Sequence, residues 1–225
     1  MKNSISKTAV IVGATGLVGK HLLDLLLDDP YYTSVIAFTR SPLMKSHEKL
    51  EYFQTDFRNL EGLKNSIRGD DFFCCIGTTR RKAKNIREYR YVDYEIPVTL
   101  AAYARENGFS GFYCVSSLGA NPSSLSFYLR LKGEMEQAIL QLGFKKVAFF
   151  RPSLLIGKRE EKRRMEEIAE KLFRFSRFLF RGKMKKYEPV RALSVAKAML
   201  EVAKQEKHEI YYENIQIKEI AGEVL

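Results

Sequence analysis

Short apolar runs alternate with amphipathic stretches over the first two thirds of the chain, and this pattern predicts strands and helices in turn. The six runs that read as buried strands are residues 8–12, 35–38, 50–53, 71–76, 111–115 and 146–150. Helical spacing and end signals follow several of them, most clearly over residues 96–107 and 124–142. Because strand and helix alternate with short connections, we expect an α/β fold of the Rossmann type, a doubly wound parallel sheet.

The alternation ends after Pro152. A basic helical stretch is predicted over about residues 159–180, a second helix over 193–205 and a short strand over 209–213. No apolar run reaches the ~18 residues that a membrane-spanning helix needs, so none is predicted.

The length of 225 residues suits one sizeable core. We therefore expect a single domain over residues 1–225. Its dinucleotide-binding core would cover residues 1–152, and a small C-terminal cap over the strand ends would cover residues 153–225.

A glycine loop follows the first predicted strand and precedes an amphipathic helix, with the spacing G-x-x-G-x-x-G. At such a loop the backbone N–H groups and the helix dipole hold a pyrophosphate, and a Cβ would block the tight turn. The spacing therefore predicts a nicotinamide dinucleotide site, with an ordinary strand–helix turn as the alternative. The predicted contacts are Gly13, Thr15, Gly16, Leu17, Val18 and Gly19.

The end of the second predicted strand bears on the choice of cofactor. NAD-binding folds usually place an acid there for the ribose hydroxyls, whereas residues 38–42 carry Arg40 and no acid. An arginine can pair with the adenosine 2′-phosphate, which favours NADP(H), although Arg40 could also be an ordinary surface residue. Asp56, after the third strand, is placed either to accept from the adenine amine or to cap its own loop.

A tyrosine and a lysine lie four residues apart in the predicted helix over 124–142, after serines at the end of the fifth strand. Tyr128 and Lys132 therefore share one helical face. A free phenol has a pKa of about 10, and a nearby ammonium brings a phenol toward the working range for proton transfer. Ser116 or Ser117 would hydrogen-bond the substrate oxygen, and the spacing leaves open which.

The order of these motifs resembles the short-chain dehydrogenase/reductase superfamily in its atypical branch. More narrowly, the chain is similar to the family of the human Tat-interacting tumour suppressor protein, over nearly its whole length. The matching segments are residues 13–16 with Gly19, 74–80 (CCIGTTR), 92–93, 116–120, Tyr128 with 132–134, and 150–152.

This resemblance implies NADP(H) as the cofactor, Tyr128 as the proton donor–acceptor and Lys132 at the nicotinamide ribose. Besides the glycine loop, the cofactor contacts that it implies are Arg40, Ile76, Gly77, Thr78, Leu155 and Arg163. Asp93 stands where the wider superfamily often has a catalytic Asn, and this difference puts the usual proton relay in doubt.

The sequence supports two functions. The first is an NADP(H)-dependent oxidoreductase acting on a small carbonyl or alcohol substrate, which the Tyr128–Lys132 pair favours. The second is a redox-silent NADP(H)-binding regulatory or scaffold protein, which Asp93 and the lack of a recognisable substrate motif favour.

The net charge of +11 is concentrated in residues 158–186, which hold 12 Lys or Arg and 5 Glu. Aromatic side chains are interleaved with this charge. We expect a cap that buries the aromatics, with a peripheral membrane-surface helix as the alternative. Nucleic acid is not expected as a partner, because no recognised binding module accompanies the charge.

The three cysteines, Cys74, Cys75 and Cys114, have no metal-type spacing, and any disulfide would leave one unpaired. We expect them to be reduced thiols in buried strands, and the histidines show no spacing typical of a metal site. The first residues contain no apolar signal-peptide stretch. These features favour a cytoplasmic location.

Overall fold

The computed structural model describes residues 6–78, 85–157 and 186–223 of the chain. Seven parallel strands form the central sheet in the order β3-β2-β1-β4-β5-β6-β9, and β7 and β8 form a separate parallel pair. The strands are β1 Thr8–Val12, β2 Ser34–Thr39, β3 Leu50–Gln54, β4 Asp71–Cys74, β5 Gly111–Val115, β6 Lys146–Arg151, β7 Leu155–Ile156, β8 Val190–Arg191 and β9 Tyr211–Glu213.

Helices connect these strands. They are α1 Gly19–Asp28, a 3-10 helix Glu61–Ser66, α2 Ile86–Arg90, a π-helical turn Tyr91–Glu95, α3 Ile96–Glu106, α4 Phe127–Leu140, α5 Ala192–Lys204 and α6 Asn214–Ile220. The segments α2, π-turn and α3 follow one another without a break, so the chain between β4 and β5 winds continuously from Ile86 to Glu106.

Both faces of the central sheet are covered, because successive strand residues point to opposite sides. In β1, Ile11 packs in the hydrophobic cluster that includes Leu22 of α1 and Val195 of α5. Its neighbour Val10 packs in the opposite cluster with Leu100 of α3. The predicted Rossmann-type, doubly wound parallel sheet is thereby confirmed.

The structure departs from the predicted elements in several places. The fourth strand ends at Cys74 rather than Ile76, and the backbone of Cys75 packs against Gly13 of the glycine loop. The helix predicted from residue 124 begins only at Phe127. The continuous winding over residues 86–95 was not predicted.

The predicted cap over residues 153–225 includes residues 158–185, which lie outside the described residues, so the cap stays a prediction. Strand β9 pairs with β6 and so extends the central sheet. Helix α5 buries Val195 and Met199 completely in the cluster shared with α1, and Ile217 of α6 joins them. These described segments therefore belong to the core layers. The basic helix predicted over residues 159–180 lies outside the described residues.

Candidate cofactor-binding and active site

The glycine loop folds tightly onto the end of β4. Gly13 has φ +79°, and a Cβ placed on it would lie 2.7 Å from the carbonyl carbon and oxygen of Cys75. The Gly16 N–H donates to the Gly13 carbonyl at 2.9 Å, and a Cβ on Gly19 would lie 2.1 Å from that same oxygen. Only glycine fits at both positions, so the sequence motif has a direct steric cause.

The start of α1 is suited to an anion. In the described part of the chain, no side chain caps this helix, and its first turn contains no acid. The first N–H groups of a helix have no intrahelical partners, and the dipole makes that end positive. Thr15 is exposed beside it, while Val18 is buried in the core. A pyrophosphate therefore fits this end of α1.

Leu17 links the loop to the C-terminal third. A Cβ placed on Gly157 would lie 2.8 Å from Leu17 Cδ1 and 3.4 Å from Ala192 Cβ. Half-buried Leu155, in β7, lies two residues earlier in the same segment. The structure thus brings Leu155 and the glycine loop to one region, whereas Arg163 lies outside the described residues.

The carboxyl ends of β2 and β3 hold the two residues predicted for the adenosine half. Arg40 is exposed, its carbonyl accepts from Gln54 Nε2 at 3.2 Å, and its guanidinium makes no hydrogen bond or ion pair with the described residues. Asp56 accepts the Arg58 N–H at 2.9 Å and also contacts Arg58 Nε at 3.5 Å. The loop-capping alternative therefore accounts for the observed contacts of Asp56, and its adenine contact stays a prediction.

A buried ion pair lies beside the end of β4. Lys132 Nζ on α4 is 2.8 Å from Asp93 Oδ1 in the π-turn, and the two side chains are 3% and 1% exposed. The second oxygen, Asp93 Oδ2, accepts the Thr78 N–H at 2.9 Å. A Cβ placed on Gly77 would lie 3.5 Å from Asp93 Oδ1 and 3.9 Å from Lys132 Nζ. Asp93 therefore ties the segment after β4 to α4.

The carboxylate determines the charge state of Lys132. Burial alone would lower the pKa of Lys132, but the neighbouring Asp93 carboxylate and, more weakly, Tyr128 raise it above its ordinary value. Lys132 is therefore an ammonium throughout the neutral range, and the pair carries no net charge.

Tyr128 lies one turn before Lys132 on α4 and is half-buried. Its ring packs edge-to-face on Tyr89 of α2, with centroids 6.1 Å apart. Burial, together with the Asp93 and Tyr128 side chains, raises the pKa of Tyr89 to about 12. Tyr89 therefore stays a neutral phenol and supports the ring of Tyr128.

Tyr89 was missed in the sequence, although a signal for its helix exists. Asn85 accepts the Glu88 N–H at 2.8 Å on its side chain, which is an N-cap contact. The spacing Asn-x-x-Glu before an apolar position is the usual sequence mark of such a helix start.

The two predicted serines differ in their surroundings. Ser116 is buried, its N–H donates to the Phe150 carbonyl at 2.7 Å, and its hydroxyl has no partner among the described residues. Ser117 is half-buried, and its hydroxyl lies 3.5 Å from the Leu118 carbonyl. Both serines follow the carboxyl end of β5, the strand next to β4, whose end carries Gly77 beside the Lys132–Asp93 pair.

Comparison with protein families agrees with this geometry. Residues 13–206 match the model of a family described as NAD(P)H-binding. The chain belongs to this NAD(P)H-binding family, in the atypical branch of the short-chain dehydrogenase/reductase superfamily. The family recognised from the sequence motifs and the binding of a nicotinamide dinucleotide are thereby confirmed.

Curated relatives carry this resemblance over most of the chain. The Debaryomyces hansenii protein named "Protein FMP52, mitochondrial" is 33% identical over 202 residues, which is 88% of this chain and 88% of that protein. The Rattus norvegicus protein named HTATIP2 is 34% identical over 172 residues, covering 75% of this chain and 71% of that protein.

Solved structures show the same fold at low identity. A UDP-glucose 4-epimerase from Thermotoga maritima superposes with a TM-score of 0.68 at 17% identity, covering 96% of this chain and 82% of its own. The Bordetella bronchiseptica enzyme WbmH, solved with NAD+, gives a TM-score of 0.69 at 16% identity, and the match covers 96% of this chain and 80% of that enzyme's chain. At such identities the likeness establishes the Rossmann-type fold alone.

The predicted cytoplasmic location is wrong by this comparison, because the fungal relatives are named mitochondrial proteins. The cysteine pattern and the first residues, on which the cytoplasmic prediction rested, do not identify a cellular compartment. Within the described ranges, no helix combines the length and the apolar character needed to cross a membrane.

Proposed function

We propose that this family member is an NADP(H)-dependent oxidoreductase that interconverts a small carbonyl compound and the corresponding alcohol. The supporting observation is the position of Tyr128 on α4, one turn before the buried Lys132, whose Nζ lies next to Gly77 in the segment that follows β4. Gly77 comes two residues after Cys75, whose backbone packs against Gly13, so Lys132 lies near the same edge of the sheet as the glycine loop.

The residues would divide the work as follows. When bound, the nicotinamide ring supplies or accepts the hydride. The Tyr128 hydroxyl would give a proton to the substrate oxygen during reduction and take it back during oxidation. The Lys132 ammonium would stabilise the phenolate and hold the ribose, and the Ser116 or Ser117 hydroxyl would hydrogen-bond the substrate oxygen.

A preference for NADP(H) over NAD(H) is part of the proposal. Arg40 is exposed at the end of β2 with its guanidinium free of partners in the described ranges. An arginine in that position matches the adenosine 2′-phosphate, with which it can form a bidentate, always charged contact.

The alternative is a redox-silent protein that binds NADP(H) for regulation or as a scaffold. The contact between Lys132 and Asp93 favours this reading, because the carboxylate 2.8 Å away cancels much of the positive field on which a phenolate would depend. A site of this kind would bind the cofactor and leave it unreacted.

Purified protein should be tested with NADPH and a panel of aldehydes and ketones, and with NADP+ and the matching alcohols, while the absorbance of the reduced nicotinamide is followed. The proposal predicts oxidation of NADPH with at least one carbonyl class and the reverse reaction with its alcohol. If calorimetry shows that NADPH binds and no compound on the panel reacts, the redox-silent function is the better account.

A further inference from the structure

The buried pair of Lys132 and Asp93 has no net charge, whereas the nicotinamide ring does not keep a constant charge. The ring is positive in the oxidised cofactor and neutral in the reduced one. Any fixed charge close to the ring therefore changes the affinity for one redox form more than for the other. The rest of the cofactor is the same in both forms, so its contacts cancel from the comparison.

The Lys132–Asp93 pair lies on the side of the glycine loop where the nicotinamide half of a bound cofactor would lie. Gly13 packs on the backbone of Cys75, at the end of β4, where a pyrophosphate would cross the edge of the sheet. Arg40 lies on one side of this crossing, at the end of β2, where the adenosine half of a bound cofactor would lie. Lys132 and Asp93 lie on the other side, next to Gly77.

We propose that Asp93 determines the redox selectivity of cofactor binding, because its carboxylate neutralises Lys132 and so allows the oxidised, positively charged cofactor to bind alongside the reduced one. Asp93 acts through Lys132 and is therefore a positioning residue. This inference rests on the binding of a nicotinamide cofactor, and it does not depend on the proposed oxidoreductase reaction.

Among the described residues, Asp93 is the one carboxylate in ion-pair contact with Lys132. Tyr128 lies on the same helix, Tyr89 faces it from α2, and the thiols of Cys74 and Cys114 face it from β4 and β5. Tyr89 is a neutral phenol across the neutral range. The hydrogen bond with Cys74, together with burial, raises the pKa of Cys114, and the same hydrogen bond lowers the pKa of Cys74.

The test measures the dissociation constants of NADP+ and NADPH by calorimetry, with no substrate present, from about pH 6 to about pH 9. In this range the raised pKa of Lys132 keeps its side chain an ammonium. The ratio of the two constants in the unaltered protein is therefore expected to be independent of pH. The same measurement with NAD+ and NADH gives a second pair of constants.

Asp93→Asn leaves Lys132 without its counter-charge. At low pH the lone ammonium should weaken the binding of NADP+ by about tenfold relative to the binding of NADPH, which is equivalent to about 1.4 kcal/mol. Burial lowers the pKa of an unpaired lysine, so this variant should lose the extra charge as the pH rises. The ratio should then return toward that of the unaltered protein.

The Lys132→Met variant should shift the ratio of the two dissociation constants in the opposite direction. The carboxylate left behind should favour NADP+ over NADPH, and more so as the pH rises and the carboxyl ionises. The matched control is the double variant Asp93→Asn with Lys132→Met, which removes both charges and should restore a flat ratio close to the original.

Two results would overturn the inference. One is a ratio in both single variants that stays flat and equal to that of the unaltered protein. The other is a ratio in the unaltered protein that itself changes with pH. If Asp93→Asn fails to fold or binds neither form, Lys132→Met decides the question alone, since a flat ratio there contradicts the inference and an increased preference for NADP+ supports it. None of these measurements requires turnover, so a failed search for substrates would not affect the conclusion.

Discussion

Arg40 is the residue on which the choice between NADP(H) and NAD(H) depends, because only NADP(H) carries the 2′-phosphate. Arg40→Ala should weaken NADPH binding by about 1–3 kcal/mol, the scale of a charge-assisted hydrogen bond, with little change for NADH. Calorimetric titration of both cofactors measures this difference.

The control for Arg40→Ala is Arg68→Ala. Arg68 is also exposed, and its guanidinium pairs with Glu51 on β3 at 2.8 Å. This change should leave the affinity for both cofactors as it was. Equal losses of NADPH and NADH binding in Arg40→Ala would remove Arg40 from the phosphate site.

At the scale of residues, the sequence identified side chains by type and could not supply their partners. Asp93 stood out as a departure from the usual Asn, but its contacts are with Thr78, 15 positions earlier, and with Lys132 on another helix. Tyr89 had no motif of its own, and its relation to Tyr128 arises only when α2 packs against α4. Such contacts depend on tertiary packing, which local spacing does not determine.

The turn between β1 and α1 is the element most constrained by its sequence. Gly13→Ala would combine a left-handed backbone with a Cβ 2.7 Å from the backbone of Cys75. Left-handed strain and overpacking together should cost about 3 kcal/mol. The loop would also shift away from the start of α1, so cofactor affinity should fall. Denaturant unfolding and calorimetry measure the two effects.

Gly143→Ala is the matched control for that loop. Gly143 also has a left-handed backbone, φ +68°, but no heavy atom lies within 4 Å of the position of its Cβ. The substitution should cost only the backbone strain, about 1–2 kcal/mol, and leave cofactor binding intact. If both variants lose the same stability and both keep full affinity, the steric account of the loop is wrong.

At the scale of elements, the alternation of apolar and amphipathic segments predicted most strands of the central sheet to within two residues at each end. The π-turn that joins α2 to α3 was not predicted, because its residues carry no local sequence signal that distinguishes it. The serine-rich residues before Phe127 were assigned to α4 because helical spacing continues through them. In the structure, Ser124 and Ser126 instead make a local turn.

At the scale of the whole molecule, the sequence did not predict that described parts of the C-terminal third join the core. The parallel pairing of β9 with β6 joins residues about 60 positions apart, and neither short segment shows this partner in its own sequence. Asn214 reinforces the connection, because its side chain contacts both the N–H and the hydroxyl of Ser153, at 3.0 and 2.8 Å. Residues assigned to a cap therefore complete the core, and the glycine loop rests on a larger scaffold than the first 152 residues.

The central claim is that Tyr128 transfers a proton in a reaction of the bound nicotinamide cofactor. The most direct test is Tyr128→Phe, compared in kcat/KM and in NADPH affinity with the unaltered protein and with Tyr103→Phe. Tyr103 is a half-buried ring on α3, so its variant controls for the loss of a phenol hydroxyl elsewhere. Because Tyr128→Phe keeps the ring against Tyr89, cofactor affinity should hardly change, while turnover should fall by about 10²–10⁴. Turnover in Tyr128→Phe that equals that of Tyr103→Phe would contradict the claim, because the proton would then come from another group.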